Sequence, residues 1–153
     1  MKVAFFHGLE SLHISDKSDY LHNNFLGRAY CPKMDYQNKG TYEYILKLIK
    51  SYDFDLLIGS SMGGWFAYCI SLDTGIDTVL FNPAFNRMEF TNHLGNKTPN
   101  HTIILGKNDN IVNHDLSKEY IKNFGIGTFD IHEENIEHQI PIDIFEKYIR
   151  KYI

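Results

Sequence analysis

Apolar residues along this chain fall into two alternating patterns. Six short runs, KVAFF, LGRAY, DLLIG, DTVLF, HTIILG and GTFDIH, have the length, the β-favouring residues and the bounding turn residues of strands. Between them, helical spacing predicts helices near 18–24, 41–51, 61–72, 115–124 and 141–153. Strands and helices in strict succession predict a three-layer, doubly wound α/β fold: a mostly parallel sheet of about six strands with helices on both faces. No repeat, low-complexity tract or linker interrupts the succession, so residues 1–153 are expected to form a single domain.

One segment departs from the amphipathic norm. MGGWFAYCISL, in the third helix, is apolar nearly all the way round, which predicts a helix buried centrally against the sheet. Its first turn follows directly on a strand, in LLIGSSMGGW. In open α/β sheets ligands bind outside the carboxyl ends of the strands, and the serines of this stretch sit at such an end.

Composition narrows the reading. At 153 residues and 43% hydrophobic content the chain can bury a full core without staples, and the many aromatic rings are expected to fill it. The net charge is −4 and the cations are scattered, so nucleic acid is not an expected partner. Cys31 and Cys69 sit in apolar or strand-like contexts that suit reduced thiols, and a cytoplasmic location is expected. No apolar run has the length of a membrane span or of a signal peptide's central region, so no membrane association is expected. The pattern leaves the oligomeric state open.

Gly59, Ser61 and Gly63 form a Gly-x-Ser-x-Gly pattern, which chance places in roughly one chain in twenty or thirty of this length. Its context adds weight: a strand before and a helix after are the setting of a nucleophile elbow, in which a strained serine stands above the sheet and the glycines avoid collisions. Ser61, between the glycines, is the candidate nucleophile, and Ser60 is not. The structural alternative is a strand-to-helix turn with glycines for close packing.

A serine hydroxyl needs a general base, itself oriented by a carboxylate. In elbow hydrolases the acid follows the serine after a later strand and the histidine comes after the last one. HTIILGKNDNIV places Asp109 past a strand end, and FDIHEENIEHQIP places His138 between the last strand and the last helix. Each also has an ordinary reading, Asp109 as a turn residue in KNDN and His138 as one of eight histidines. Asp115, the nearby competitor to Asp109, stands where a helix N-cap is expected. Backbone donors for an oxyanion are expected from Met62, after the serine, and from Leu9, in the loop after the first strand. Gly8 would let that loop turn, and His7 is read as bracing it.

The cluster His132, Glu133, Glu134 and His138 lacks zinc-protease spacing, since Ile136 stands where a second histidine would be needed, so no metal is expected. No Gly-rich phosphate loop follows the first strand, and no cofactor is expected.

The pieces FFHGLES, LLIGSSMGGWFA, LFNPAF, ILGKNDNIV and EHQI, in this order over nearly the whole chain, resemble the α/β-hydrolase superfamily and, within it, the small capless bacterial esterases of the YqiA type. The elbow with its double glycine, Gly63-Gly64, is the most specific of them. That resemblance implies a minimal α/β-hydrolase fold without a cap domain, a triad of Ser61, Asp109 and His138, and an oxyanion hole at Leu9 and Met62. The implied activity is a serine esterase or thioesterase acting on a small acyl substrate. A catalytically silent protein of the same fold, serving as a protein-binding module, is the alternative. Relatives with a cap insert it where this chain has only Asn86 to Asn100, so any lid is a short loop and the acyl pocket is expected to end early.

Overall fold

The computed structural model describes residues 1–91 and 94–153, so Asn92 and His93, within the stretch to which any lid is expected to be confined, lie outside the described residues. The strands are β1 Val3–Phe6, β2 Ala29–Tyr30, β3 Leu56–Ser60, β4 Thr78–Phe81, β5 Asn100–Gly106 and β6 Thr128–Glu134. They form one sheet in the order β2-β1-β3-β4-β5-β6, and every neighbouring pair is parallel. The sheet expected to be mostly parallel is therefore wholly so, the arrangement of a minimal α/β-hydrolase fold.

The helices are α1 Asp16–Phe25, α2 Thr41–Ser51, α3 Met62–Thr74, α4 His114–Phe124 and α5 Ile142–Ile149, with a 3-10 turn at Arg150–Tyr152. Residues of α1 and α5, among them Leu21, Phe25, Phe145 and Ile149, pack in one hydrophobic cluster. Those of α2 and α3 pack in another, with Tyr120 and Ile121 of α4 against it. The apolar girth of α3 has the expected cause: Met62 to Leu72 are buried without interruption. Full burial of one large apolar side chain is worth about 1.5–3 kcal/mol, so this helix anchors the layer.

Local details differ from the pattern where backbone chemistry intervenes. The run LGRAY yields only a two-residue strand, because Leu26 (φ 39°) and Gly27 (φ 77°) turn the chain out of α1 in left-handed conformations. Asp115 is not the N-cap of α4. Asn113 is, its side-chain oxygen accepting from the amides of Asp115 and Leu116, which leaves Asp115 in the first turn where a carboxylate favours the helix dipole. The last helix gives way to the 3-10 turn after Ile149.

The topology opens the crevice. From β1 the chain steps outward to β2, and from β3 it proceeds the other way to β4, although β1 and β3 are neighbours. Loops leaving their carboxyl ends diverge at this switch point, where α/β sheets bind ligands. Among the described residues, no helix is long and apolar enough to cross a membrane, and no three His, Cys, Asp or Glu side chains are grouped to hold a metal ion. His132 pairs instead with Asp130 at 2.8 Å. Both cysteines are free thiols, Cys69 buried and Cys31 half-buried.

Candidate active site

The turn between β3 and α3 is held in an uncommon shape. Ser61 has φ 56° and ψ −118° and caps α3. A backbone so placed costs about 1–3 kcal/mol and persists only when its surroundings impose it. Here its amide donates to the Phe81 carbonyl at 2.9 Å, and its carbonyl accepts from Trp65 at 3.1 Å and Ala84 at 2.9 Å. The glycines are needed for space. A Cβ at Gly59 would lie 2.3 Å from the Gly63 oxygen, and one at Gly63 would lie 1.9 Å from the Phe6 oxygen.

The strand ends then bring Ser61, His138 and Asp109 into one chain of hydrogen bonds. His138 Nδ1 is 2.8 Å from Asp109 Oδ2, and its Nε2 is 2.8 Å from Ser61 Oγ. A carboxylate only accepts, so Nδ1–H donates to Asp109, and Nε2 is left to accept the Ser61 hydroxyl. The other Asp109 oxygen, Oδ1, accepts from the amides of Ile111 (2.8 Å) and Val112 (2.9 Å). Both readings of this aspartate therefore apply: it bends the loop and it holds the histidine. Its side chain is wholly out of water, whereas that of His138 is 17% exposed.

The loop after β1 is pinned from below. His7 is buried; its Nε2 accepts the Met34 amide at 2.9 Å, so Nδ1–H donates to the Gly8 carbonyl at 2.7 Å. Burial lowers its pKa, favouring the neutral ring that this pair of bonds requires. The Tyr36 hydroxyl donates to the His7 carbonyl. Gly8, expected to let the loop turn, also leaves room beside the serine, since a Cβ there would lie 3.3 Å from that of Ser61. Leu9 and Ser61 line one cavity of about 180 Å³ with Gly8, Ile111 and His138. Met62 and Leu9 border a wider one of about 610 Å³ that extends over Tyr42, Arg87 and Phe90. As the first residue of α3, Met62 has an amide with no acceptor inside its helix.

Sequence reading assigned no role to Asn82, which stands at φ 42° just past β4. Its Nδ2 donates to the carbonyls of Glu137 and His138, both at 3.1 Å, and its Oδ1 accepts the Gly106 amide at 2.7 Å. It thus ties the histidine loop to the ends of β4 and β5. An asparagine before proline at a strand end, one of the few residue types that tolerate left-handed backbone, was the available signal. Glu89 and Phe90 lie against α2 and α3: Phe90 stacks on Tyr42 at 5.3 Å, and the Trp65 indole donates to the Glu89 carbonyl at 2.6 Å.

Comparison with known proteins places this architecture. The model of an uncharacterised protein family, UPF0227, matches residues 5–125. No curated protein matches the sequence. Among solved structures, a candidate hydrolase of the α/β superfamily from Xanthomonas campestris pv. campestris is similar at 16% identity over 99% of each chain, with a TM-score of 0.73. Mouse α/β hydrolase domain-containing protein 10 is similar at 14% identity over 99% of this chain and 90% of its own, with a TM-score of 0.72. The esterase PE8 is similar at 14% identity over 99% and 92%, with a TM-score of 0.65. At such identities the likeness carries the fold.

Proposed function

The chain belongs to the uncharacterised protein family UPF0227, and from that premise we propose that it is a serine hydrolase cleaving small acyl esters or thioesters through an acyl-enzyme. The observation that carries this reading is the unbroken chain of hydrogen bonds from Asp109 through His138 to Ser61.

In this reading Ser61 Oγ attacks the substrate carbonyl carbon while its proton passes to His138 Nε2. Asp109 keeps the ring in the tautomer that can accept, and its charge stabilises the imidazolium that forms. The carbonyl oxygen becomes an anion held by the amides of Met62 and Leu9, the first of which lies at the positive end of α3. Collapse breaks the bond to the leaving oxygen or sulfur, which takes the proton from His138. Water then attacks the acyl-serine, His138 accepting one of its protons and returning it to Ser61 Oγ as the acid departs. His7 and Gly8 support the loop that presents Leu9, and Gly59 and Gly63 support the elbow. The chemistry needs no cofactor, the chain acts as one domain, and its free thiols fit a reducing cytoplasm.

The test is labelling by a fluorophosphonate, read by intact mass. The wild type and Ser60→Ala should each gain one adduct and hydrolyse p-nitrophenyl acetate, while Ser61→Ala does neither. Labelling of Ser61→Ala, or an inert wild type, would sink the proposal.

A further inference from the structure

Beside the cavity at Ser61 runs a groove of about 350 Å³ along one side of α4. Its apolar lining is Phe85, Ile111, Val112, Leu116, Tyr120 and Phe124. Ile111 lines both this groove and the cavity that holds Ser61 and His138, so the two meet at this side chain. Leu116, Tyr120 and Phe124 recur every four residues on one helix face, and eight residues of helix span about 12 Å. The Tyr120 ring stacks on Phe85 with centroids 4.8 Å apart and forms the floor. Ile111, Leu116 and Phe124 are 63%, 62% and 68% exposed, so the groove presents apolar surface to water. Its mouth is fixed by the site itself, because Asp109 Oδ1 accepts the amides of Ile111 and Val112 while Oδ2 holds His138.

We propose that this groove is the subsite for a straight, uncharged aliphatic chain of the ester substrate, running from Ser61 over Ile111 and down α4 to Phe124. The inference rests on the reading of Ser61 as nucleophile. Three features select this occupant. The groove meets the cavity of the reacting centre at Ile111; its walls are mainly apolar, the uncharged polar residues Asn86, Asn113, Ser117 and Asn123 making up most of the rest; and the charged residue among those lining it is Glu119, which repels a chain ending in a carboxylate. With bonds of about 1.5 Å at tetrahedral angles, roughly ten carbons cover the stretch beside α4 from Leu116 to Phe124. The early limit expected from the missing cap is thereby lifted, since α4 supplies the wall that a cap would. A methylene buried on all sides gains about fourfold in affinity, and one lying in an open groove gains about twofold.

The experiment measures kcat/KM for two series of soluble esters with two to twelve carbons, p-nitrophenyl acyl esters and alkyl acetates. The wild type is compared with L116Q/F124Q and with the conservative L116M. In one series the wild type should climb about twofold per carbon to roughly ten carbons, and that series identifies whether the acyl or the alcohol portion occupies the groove. L116Q/F124Q should flatten the climb, lowering the decanyl-to-butyl ratio tenfold or more, and L116M should keep it. A flat wild type, or equal slopes in wild type and double variant in both series, overturns the subsite. So does a double variant whose only change is dissociation of a dimer in sedimentation, which would make the groove a contact between two copies. Fluorophosphonate labelling of Ser61 separates the two failures: if Ser61 labels and acetate is cleaved while the slopes agree, the groove alone is wrong.

Discussion

Two imidazoles in this protein stand in the same kind of hydrogen-bond chain, at opposite ends of the sheet. At the start of β5, His101 Nδ1 is 2.9 Å from Thr78 Oγ1 and Nε2 is 2.9 Å from the Ile126 carbonyl. At the carboxyl ends, His138 lies between Ser61 Oγ and Asp109 Oδ2. A hydroxyl, an imidazole and an acceptor oxygen line up in both, yet the acceptors differ in charge. The Ile126 carbonyl fixes the His101 tautomer but offers no anion to balance an imidazolium, and burial pushes the His101 pKa down to about 4. The Thr78 hydroxyl donates to His101 Nδ1 but is itself buried, away from solvent. His138 faces a carboxylate and borders a cavity. Geometry alone does not make a base; a counter-charge and access do.

The comparison breaks most completely at Asp109. Asp109→Asn makes the acceptor beside His138 as neutral as the one beside His101. An amide nitrogen facing Nδ1 would also favour the tautomer in which Nε2 carries the proton and cannot accept from Ser61. Turnover of p-nitrophenyl acetate should fall by about 10³–10⁴-fold, whereas Asp115→Asn, in the first turn of α4, should change it less than about threefold. Comparable losses in the two variants would remove the distinction between a triad acid and a helix-terminus charge.

The buried partner responds to acid through stability. His101 binds its proton near 6.5 when unfolded and only near 4 when folded. The unfolded state therefore takes up the proton first as pH falls. The stability is fully present above about 6.5 and is lost progressively down to about 4, amounting to about 3 kcal/mol. His7, whose pKa burial also lowers, acts in the same direction. Urea unfolding of the wild type at pH 7.5 and 4.5 should show the loss. His101→Gln should start less stable and lose markedly less between the two pH values, and identical pH slopes would mean that His101 is not the group titrating.

These contrasts bear on what a sequence can disclose. The alternation of strands and helices was legible because each element's period is a property of neighbouring residues. The meeting of Ser61, Asp109 and His138 followed from order alone, since a parallel sheet puts successive strand ends on one side. What stayed hidden depends on partners far along the chain. Asn82 reaches the carbonyls of Glu137 and His138, 55 and 56 residues away, and Tyr36 reaches the His7 carbonyl, 29 away. The α4 groove was hidden for another reason: Leu116, Tyr120 and Phe124 read as an amphipathic stripe whether that stripe is covered or open. The N-cap of α4 was misplaced by two residues because both Asn113 and Asp115 can accept from a helix's first amides.

The smallest expected effect sharpens the comparison at the other wall of the site. Tyr36→Phe removes one hydroxyl and nothing else, because the ring keeps its edge contacts with Phe66 at 5.7 Å and His7 at 6.2 Å. The His7 carbonyl then loses its buried donor, which costs about 1–3 kcal/mol of stability. The His7–Gly8–Leu9 loop would still be held by the imidazole of His7, through the Met34 amide and the Gly8 carbonyl, and by the Ser11 amide on the Gly8 carbonyl, but without its anchor at the His7 carbonyl. If Leu9 presents its amide to the developing oxyanion, a looser loop weakens an interaction made only in the transition state, so kcat should fall about tenfold while KM moves little. A merely structural hydroxyl would lower the melting temperature and leave both constants where they were. Steady-state kinetics on p-nitrophenyl acetate, at a temperature well below the melting point of the variant, separate the two cases.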